Sequence, residues 1–366
     1  MANVKLETAK RDKNDEFYTQ YEDIQNEVNA YLEYDPDVFR GKTVLLPCDD
    51  PEWSNFTRFF AQNFENFGLR KLISTSYAAD SKPAEIPYQL TFFEIEAPQY
   101  DESKTRSHGK IFLLTRDKNK TGNIDIDDLK WSYLEGDGDF RSTEVTALRD
   151  EADIIITNPP FSLFRDFIGW LAETDKKFLI IGNKNSVTYK ETFPLIMQNK
   201  MWSGKTSWGG GMWFETKDPT DVDKVINGIN MKNVSSVWFT NIEHGRRHLP
   251  LQLMTMADNL KFSKHKDIIE RGYPRYINYD AIEVSYSDAI PSDYDGLMGV
   301  PISFLNMYCP EQFEIIGISL ELADDMKNYA NKGEYMAGGK RFYLEEENGK
   351  YKYRRMYDRI VIRRRR

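Results

Sequence analysis

The sequence predicts an α/β protein with a doubly wound, mostly parallel sheet, followed by a second region of different character. Three observations carry that prediction. Short apolar runs of the length of buried strands recur through the first two-thirds of the chain, at Thr43 to Leu46, Lys71 to Ser76, Ile154 to Thr157, Phe178 to Ile181 and Val237 to Thr240. Amphipathic segments with apolar residues at helical spacing, such as Asn55 to Phe67 and Leu163 to Glu173, lie between several of them, which is the alternation of a doubly wound sheet. After about residue 258 that alternation fades into sequence rich in Tyr, Pro and Gly.

Taken in order, the first strand leads into Pro47, Cys48, Asp49, Asp50 and Pro51, and the second, KLISTS, ends before Tyr77. Residues 80–130 then break the pattern with Pro83, Pro87 and Pro98, the strand-like YQLTFFEIE and KIFLLTR, and the turn-rich KNKTGN, so they read as a β-rich insertion. The expected organisation is a domain over 1–257 carrying this insertion and a second region over 258–366.

Composition bounds the function classes. With 366 residues, 40% hydrophobic and 29% charged, the chain is globular and large enough for a big core or two domains. No window approaches the roughly 18 uncharged apolar residues of a membrane span. The N-terminal MANVKLETAKRDKNDEF is too charged for a signal peptide. Cys48 and Cys309 are the only cysteines, too few for a disulfide framework or a thiolate zinc site, so a reducing, cytoplasmic setting is expected. His244 and His248 stand four apart, but Gly245 is a poor helix residue and no third ligand is near, so no metal is expected. The formal charge of −9 is unevenly spread: Arg341 to Arg366 carries +6 and the rest −15. An acidic body with a basic end suggests a phosphate-contacting region.

The residues that carry chemistry are Asn158, Pro159, Pro160 and Phe161, directly after the apolar run ADIIIT. In doubly wound folds ligands bind at the carboxyl ends of strands, where this tetrapeptide falls. Two prolines stiffen the turn and remove two N–H donors, leaving acceptors. The Asn158 side-chain oxygen and the Pro159 carbonyl form an acceptor pair, and Phe161 adds an aromatic plane, a combination that suits a planar heterocycle bearing an exocyclic amine. An adenine amino nitrogen is a poor nucleophile because its lone pair is delocalised into the ring. Two acceptors gripping its N–H groups draw it toward tetrahedral geometry while the ring stacks on Phe161. A methyl donor activated as a sulfonium leaves only positioning for in-line transfer. Alone, Asn-Pro-Pro marks a rigid turn; its place between a buried strand and the amphipathic SLFRDFIGWL points to more.

That tetrapeptide after a strand looks like the catalytic motif of the amino-methyltransferases. More specifically, the chain resembles the EcoRI DNA methyltransferase family of adenine-N6 enzymes. The stretches that carry the likeness are DEFYTQYEDIQNE from Asp15, CDDPEWSNF from Cys48, GDGDFRS from Gly136, TNPPFSLFR from Thr157, DKKFLIIGNKNSVTYKE from Asp175 and DYDGLMGVPISFLNMYCPEQFEIIG from Asp293, in order over nearly the whole chain. The resemblance implies a Rossmann-like, S-adenosylmethionine-dependent methyltransferase sheet with a C-terminal target-recognition region, acting on adenine N6 in a short duplex DNA sequence by base flipping.

Carried over residue by residue, the resemblance gives Phe17, Tyr18 and Thr19 to the methionine part of S-adenosylmethionine. It gives Asp49 or Asp50 to the cofactor's ammonium, and Asp139 and Phe140 to its adenine ring. The usual Gly-rich first loop is replaced here by Asp49, Asp50 and Pro51, and the nearest acid after the second strand is Asp80. Asp50 also reads as a cap for the following helix. Trp213 and Phe214, in the aromatic and glycine cluster from Trp208, fall where such enzymes place a loop flanking the flipped base. Arg271, Arg275 and the basic C-terminus suit phosphate and base-edge contacts. The resemblance implies double-stranded DNA as partner, a possible cognate restriction endonuclease without a stable complex, and a monomer. Cytosine-N4 or RNA adenine methylation, or a catalytically silent DNA-binding relative, are the alternatives.

Overall fold

The computed structural model describes residues 18–51, 54–78, 100–115, 131–216, 219–346 and 349–365. Phe17, Asp80, YQLTFFEIE, KNKTGN and Arg366 lie outside the described residues. The chain forms two compact units, Met1–Ser186 with Met201–His244 and Val187–Lys200 with Gly245–Arg366. The change of unit thus comes before residue 257, and 187–200 joins the second unit from within the first stretch of sequence. Composition registers long runs and misses so short an excursion.

In the first unit the strands are β1 (Tyr18–Thr19), β2 (Thr43–Leu46), β3 (Lys71–Ser76), β4 (Lys110–Leu114), β5 (Trp131–Tyr133), β6 (Ile154–Thr157), β7 (Lys177–Asn183), β8 (Trp202–Ser203), β9 (Met212–Glu215), β10 (Lys224–Ile226), β11 (Ile229–Val234) and β12 (Ser236–Thr240). Its helices are α1 (Tyr21–Tyr34), α2 (Asn55–Gln62), α3 (Thr143–Glu151) and α4 (Phe164–Ala172). The main sheet has the order β5-β4-β3-β2-β6-β7-β12-β8. β2 runs parallel to β3 and to β6, and β6 parallel to β7. β2 and β6 are buried at every position, each an apolar run of Val, Leu or Ile with one Thr at an end.

Two expectations change. Val237 to Thr240, expected among the buried parallel strands, is β12 and runs antiparallel to β7. Between β7 and β12 the chain runs through β8 and the strands of a second sheet, not through the single strand-helix-strand crossover that returns a chain parallel. KIFLLTR, expected within an insertion, supplies β4, which pairs antiparallel with β3 and extends the main sheet.

Ser54 caps α2 by accepting from Phe56 N, and Phe56, Phe59 and Phe60 on its inner face are buried against Tyr31, Phe39 and the sheet. Each such ring stabilises the unit by about 1.5–3 kcal/mol relative to exposure. A smaller sheet of order β1-β9-β11-β10 pairs Thr19 with Phe214 and Tyr18 with Glu215.

The second unit holds α5 (Phe193–Met197), α6 (Met256–Phe262), α7 (Lys266–Arg271), α8 (Ser319–Leu322), β13 (Ile282–Glu283), β14 (Met298–Pro301), β15 (Phe313–Ile318), β16 (Tyr343–Glu345), β17 (Tyr353–Arg355) and β18 (Arg359–Arg364). Its main sheet has the order β13-β14-β18-β15, and β16 and β17 form a hairpin. The described part of the basic C-terminus therefore contributes β16, β17 and β18 and is not a solvated tail. Ile360, Val361 and Ile362 of β18 are fully buried, and Arg359 is buried in an ion pair with Glu283 at 2.7 Å, to which Tyr276 also donates. Among the described residues, no helix is long and apolar enough to cross a membrane.

Candidate active site

Because β2, β3, β6 and β7 are parallel, the loops at their carboxyl ends share one edge of the sheet. The loop after β2 is anchored through Asp49. Its side chain is 5% exposed and accepts from Ser54 Oγ at 2.7 Å and from Thr157 Oγ1 at 2.6 Å, and its backbone carbonyl accepts from Ser74 Oγ. Burial pushes its carboxyl up to about 7, against the lowering effect of the two hydroxyls. Asp49 thus ties the loop after β2 to the last residue of β6, directly before Asn158. Asp50 is half-buried and supplies its carbonyl to Ser54 N.

Asn158 and Phe161 are half-buried and Pro159 is buried. The Pro160 carbonyl accepts from Leu163 N at 3.0 Å, closing a single 3-10 turn over Phe161–Leu163 that leads into α4. The ring of Phe161 meets that of Phe214 edge to face, with centroids 6.4 Å apart. Phe214 is fully buried and so braces Phe161, whereas Trp213, on the opposite face of β9, is 36% exposed. Through β9 the small sheet also brings in β1, and Asn55 Nδ2 donates to Thr19 O at 2.8 Å, fastening that segment to the start of α2. Thr19 Oγ1 is buried and has no hydrogen-bond partner among the described residues.

The loop before α3 closes on the end of β3, where Ala78 N donates to Asp137 O at 2.7 Å. Gly138, at φ +80°, and Gly109 press on Ser76 O; a Cβ at Gly138 would lie 2.1 Å from that oxygen and one at Gly109 2.5 Å. Asp139 is bound at both carboxylate oxygens by Arg141, with the closer contact at 2.7 Å, and Arg141 also pairs with Asp166. Burial raises the Asp139 carboxyl, but the hydrogen bonds and charge of Arg141 outweigh it and leave it below the ordinary range. Phe140 is buried edge-on against Phe167 and Trp170, an anchor for the loop.

In the second unit Arg271 is exposed, and Arg275 is exposed and paired with Asp280 at 2.6 Å. His248 pairs with Glu311 at 2.8 Å, and in the first unit His244 donates to Ser203 O at 3.0 Å. No group of three or more potential metal ligands occurs among the described residues.

Residues 5–365 match the family described as adenine-specific methyltransferase EcoRI. The chain belongs to that family. It is 40% identical over 321 residues to type II methyltransferase M.EcoRI of Escherichia coli, covering 86% of this chain and 89% of the relative. It is 36% identical over 316 residues to M.MpnI of Mycoplasma pneumoniae, covering 84% and 83% respectively. To M.MgeORF184P of Mycoplasma genitalium it is 34% identical over 315 residues, covering 84% of each. No solved structure matches the chain. Membership implies a methyl donor of the S-adenosylmethionine type and DNA as substrate.

The structure brings further residues to this edge of the sheet, most of them without a local sequence signal. Thr157, Ser54 and Asn55 make the ties between loops, and Gly109 and Gly138 make the close approach. Ser54 alone carries a local signal, as a Ser directly before an amphipathic helix.

Proposed function

We propose that the chain is a site-specific DNA methyltransferase that moves a methyl group from S-adenosylmethionine to adenine N6 in a short duplex sequence, with the adenine rotated out of the helix. In this reading the first unit is the Rossmann-like catalytic domain and the second reads the target. It is the modification enzyme of a type II restriction-modification system or a solitary relative, cytoplasmic and monomeric, acting without a stable complex with any nuclease. The observation that carries the reading is Asn158-Pro159-Pro160-Phe161 at the end of buried β6, with Thr157 hydrogen-bonded to the loop after β2 and Phe161 braced by Phe214.

The residues around that edge fit the methyl donor. Asp50, half-buried in the loop after β2, is proposed as the acid for its ammonium, and Asp49 anchors that loop through Ser54 and Thr157. Thr19 Oγ1, buried with no partner among the described residues, is the kind of group a bound polar ligand satisfies. Asp139, in the loop before α3 that closes on the end of β3, is proposed for the adenine end, with Phe140 holding that loop. When bound, S-adenosylmethionine supplies a methyl group already activated on sulfur. Asn158 Oδ1 and the Pro159 carbonyl accept from the target amino group, localising its lone pair, and Phe161 stacks on the base. No acid or base would be asked to act before the transfer, and the proton of the methylated amine would then pass to solvent water. Arg271 and Arg275 are proposed to meet DNA phosphates.

The test is Asn158→Ala. Methyl transfer to unmethylated plasmid DNA should be abolished, while S-adenosylmethionine affinity measured by calorimetry stays within about tenfold, or roughly 1.4 kcal/mol. Near-normal turnover in that variant would defeat the mechanism.

A further inference from the structure

Glu27 sits in the middle of α1 as a fully buried carboxylate. Burying a charged group is costly unless hydrogen bonds compensate it, and here each oxygen takes two. Oε1 accepts from Tyr31 Oη at 2.8 Å and Lys205 N at 2.7 Å; Oε2 accepts from Thr206 N at 2.8 Å and Thr206 Oγ1 at 2.5 Å. Three of the four donors belong to the two-residue turn just after β8. Gly204 precedes it with no room for a side chain, since a Cβ there would lie 2.2 Å from Glu27 Oε1 and 2.6 Å from Trp238 Cβ.

An apolar residue would serve the buried face of α1 without desolvating a charge, so the carboxylate is explained by the turn it holds. That turn starts the segment running to β9. Trp208 Nε1 donates to Ser203 Oγ at 2.8 Å, Asn233 Nδ2 donates to Gly210 O at 2.8 Å, and Gly211 lies at φ +70° against Val234 O. The segment then delivers Phe214 to the edge of Phe161. We infer that Glu27 is a positioning residue for the target base: it fixes the start of the segment that sets the plane of Phe161. This rests on the reading of Phe161 as the surface on which the base stacks.

The experiment compares the full chain with Glu27→Gln, which keeps the shape but turns one acceptor into a donor facing the backbone N–H of either Lys205 or Thr206. Three quantities are read: S-adenosylmethionine affinity by calorimetry, the single-turnover methylation rate, and the fluorescence of 2-aminopurine at the target position. The duplex carries the sequence found methylated by the unvaried protein. The expected result is affinity for S-adenosylmethionine within about twofold, a methylation rate reduced at least about tenfold, and a weakened 2-aminopurine signal. Thr206→Val, which removes one hydroxyl donor, gives a smaller loss of the same kind and decides the matter if Glu27→Gln does not fold. Rates within about twofold of the unvaried protein, or equal losses in cofactor affinity and rate, overturn the assignment and leave the function standing. An unvaried protein that methylates no duplex DNA overturns both.

Discussion

At Asp49 a carboxyl has been buried to tie two loops together, and the cost shows in its titration. A folded-state value near 7 against 3.8 for the free side chain means the folded protein resists ionising this group. The stability it contributes is fully present below pH 4 and is lost as pH rises toward and through about 7, by up to a few kcal/mol. Asp49→Asn should therefore flatten the fall in melting temperature between pH 4 and pH 7; an unchanged profile would show that the carboxyl is not held in the way described. Its neighbour should behave differently. Asp50→Asn is expected to weaken S-adenosylmethionine binding about tenfold or more, seen by calorimetry. The tie between Asp49 and Thr157 is not legible in the sequence, because it spans 108 positions and neither residue carries a local mark of its partner. Asn158 to Phe161 is legible, since the tetrapeptide and the strand before it are contiguous.

Among elements, the buried strands Thr43–Leu46 and Ile154–Thr157 can be read at their full length, because a parallel strand covered on both faces is a continuous apolar run. Direction is not encoded in such a run, and so β12 reads as parallel when it is not. The pairing of β1 with β9 is invisible for another reason: a two-residue strand has no periodicity, and its partner lies about 200 residues away. At β18 the flanking arginines mask the Ile360 to Ile362 core. Glycines at close approaches give a test at this scale. Gly138→Ala adds a Cβ against Ser76 O at a positive φ, so it should lower the melting temperature and weaken S-adenosylmethionine affinity together. A variant with both unchanged would mean that the loop before α3 does not shape the cofactor site.

Over the whole molecule, the basic C-terminus sorts into charge that is already paired and charge that faces solvent. Arg359 is buried against Glu283, Arg363 pairs with Glu314 at 2.8 Å, and Arg341 pairs with Asp358 at 2.7 Å. Lys350, Lys352 and Arg354, around the β16–β17 hairpin, are exposed, and among the described residues the acidic partners of Lys352 and Arg354 lie at 3.9 and 3.6 Å. Deleting Arg363 to Arg366 removes strand pairing with Phe313 and Glu314, so it should destabilise the second unit as well as reduce charge. Replacing Lys350, Lys352 and Arg354 by Ala is the cleaner probe: DNA binding should weaken, and its salt slope should fall by about one for each phosphate no longer neutralised. An unchanged slope would mean that other cations meet the phosphates.

The central claim, that this chain methylates adenine N6 at one short duplex sequence, is tested most directly by long-read sequencing with direct detection of modified bases. The DNA would come from methylation-free cells expressing the protein. The account predicts N6-methyladenine at nearly every occurrence of a single short motif, and none in cells expressing Asn158→Ala. Unmodified DNA from cells that hold folded, S-adenosylmethionine-binding protein would contradict it.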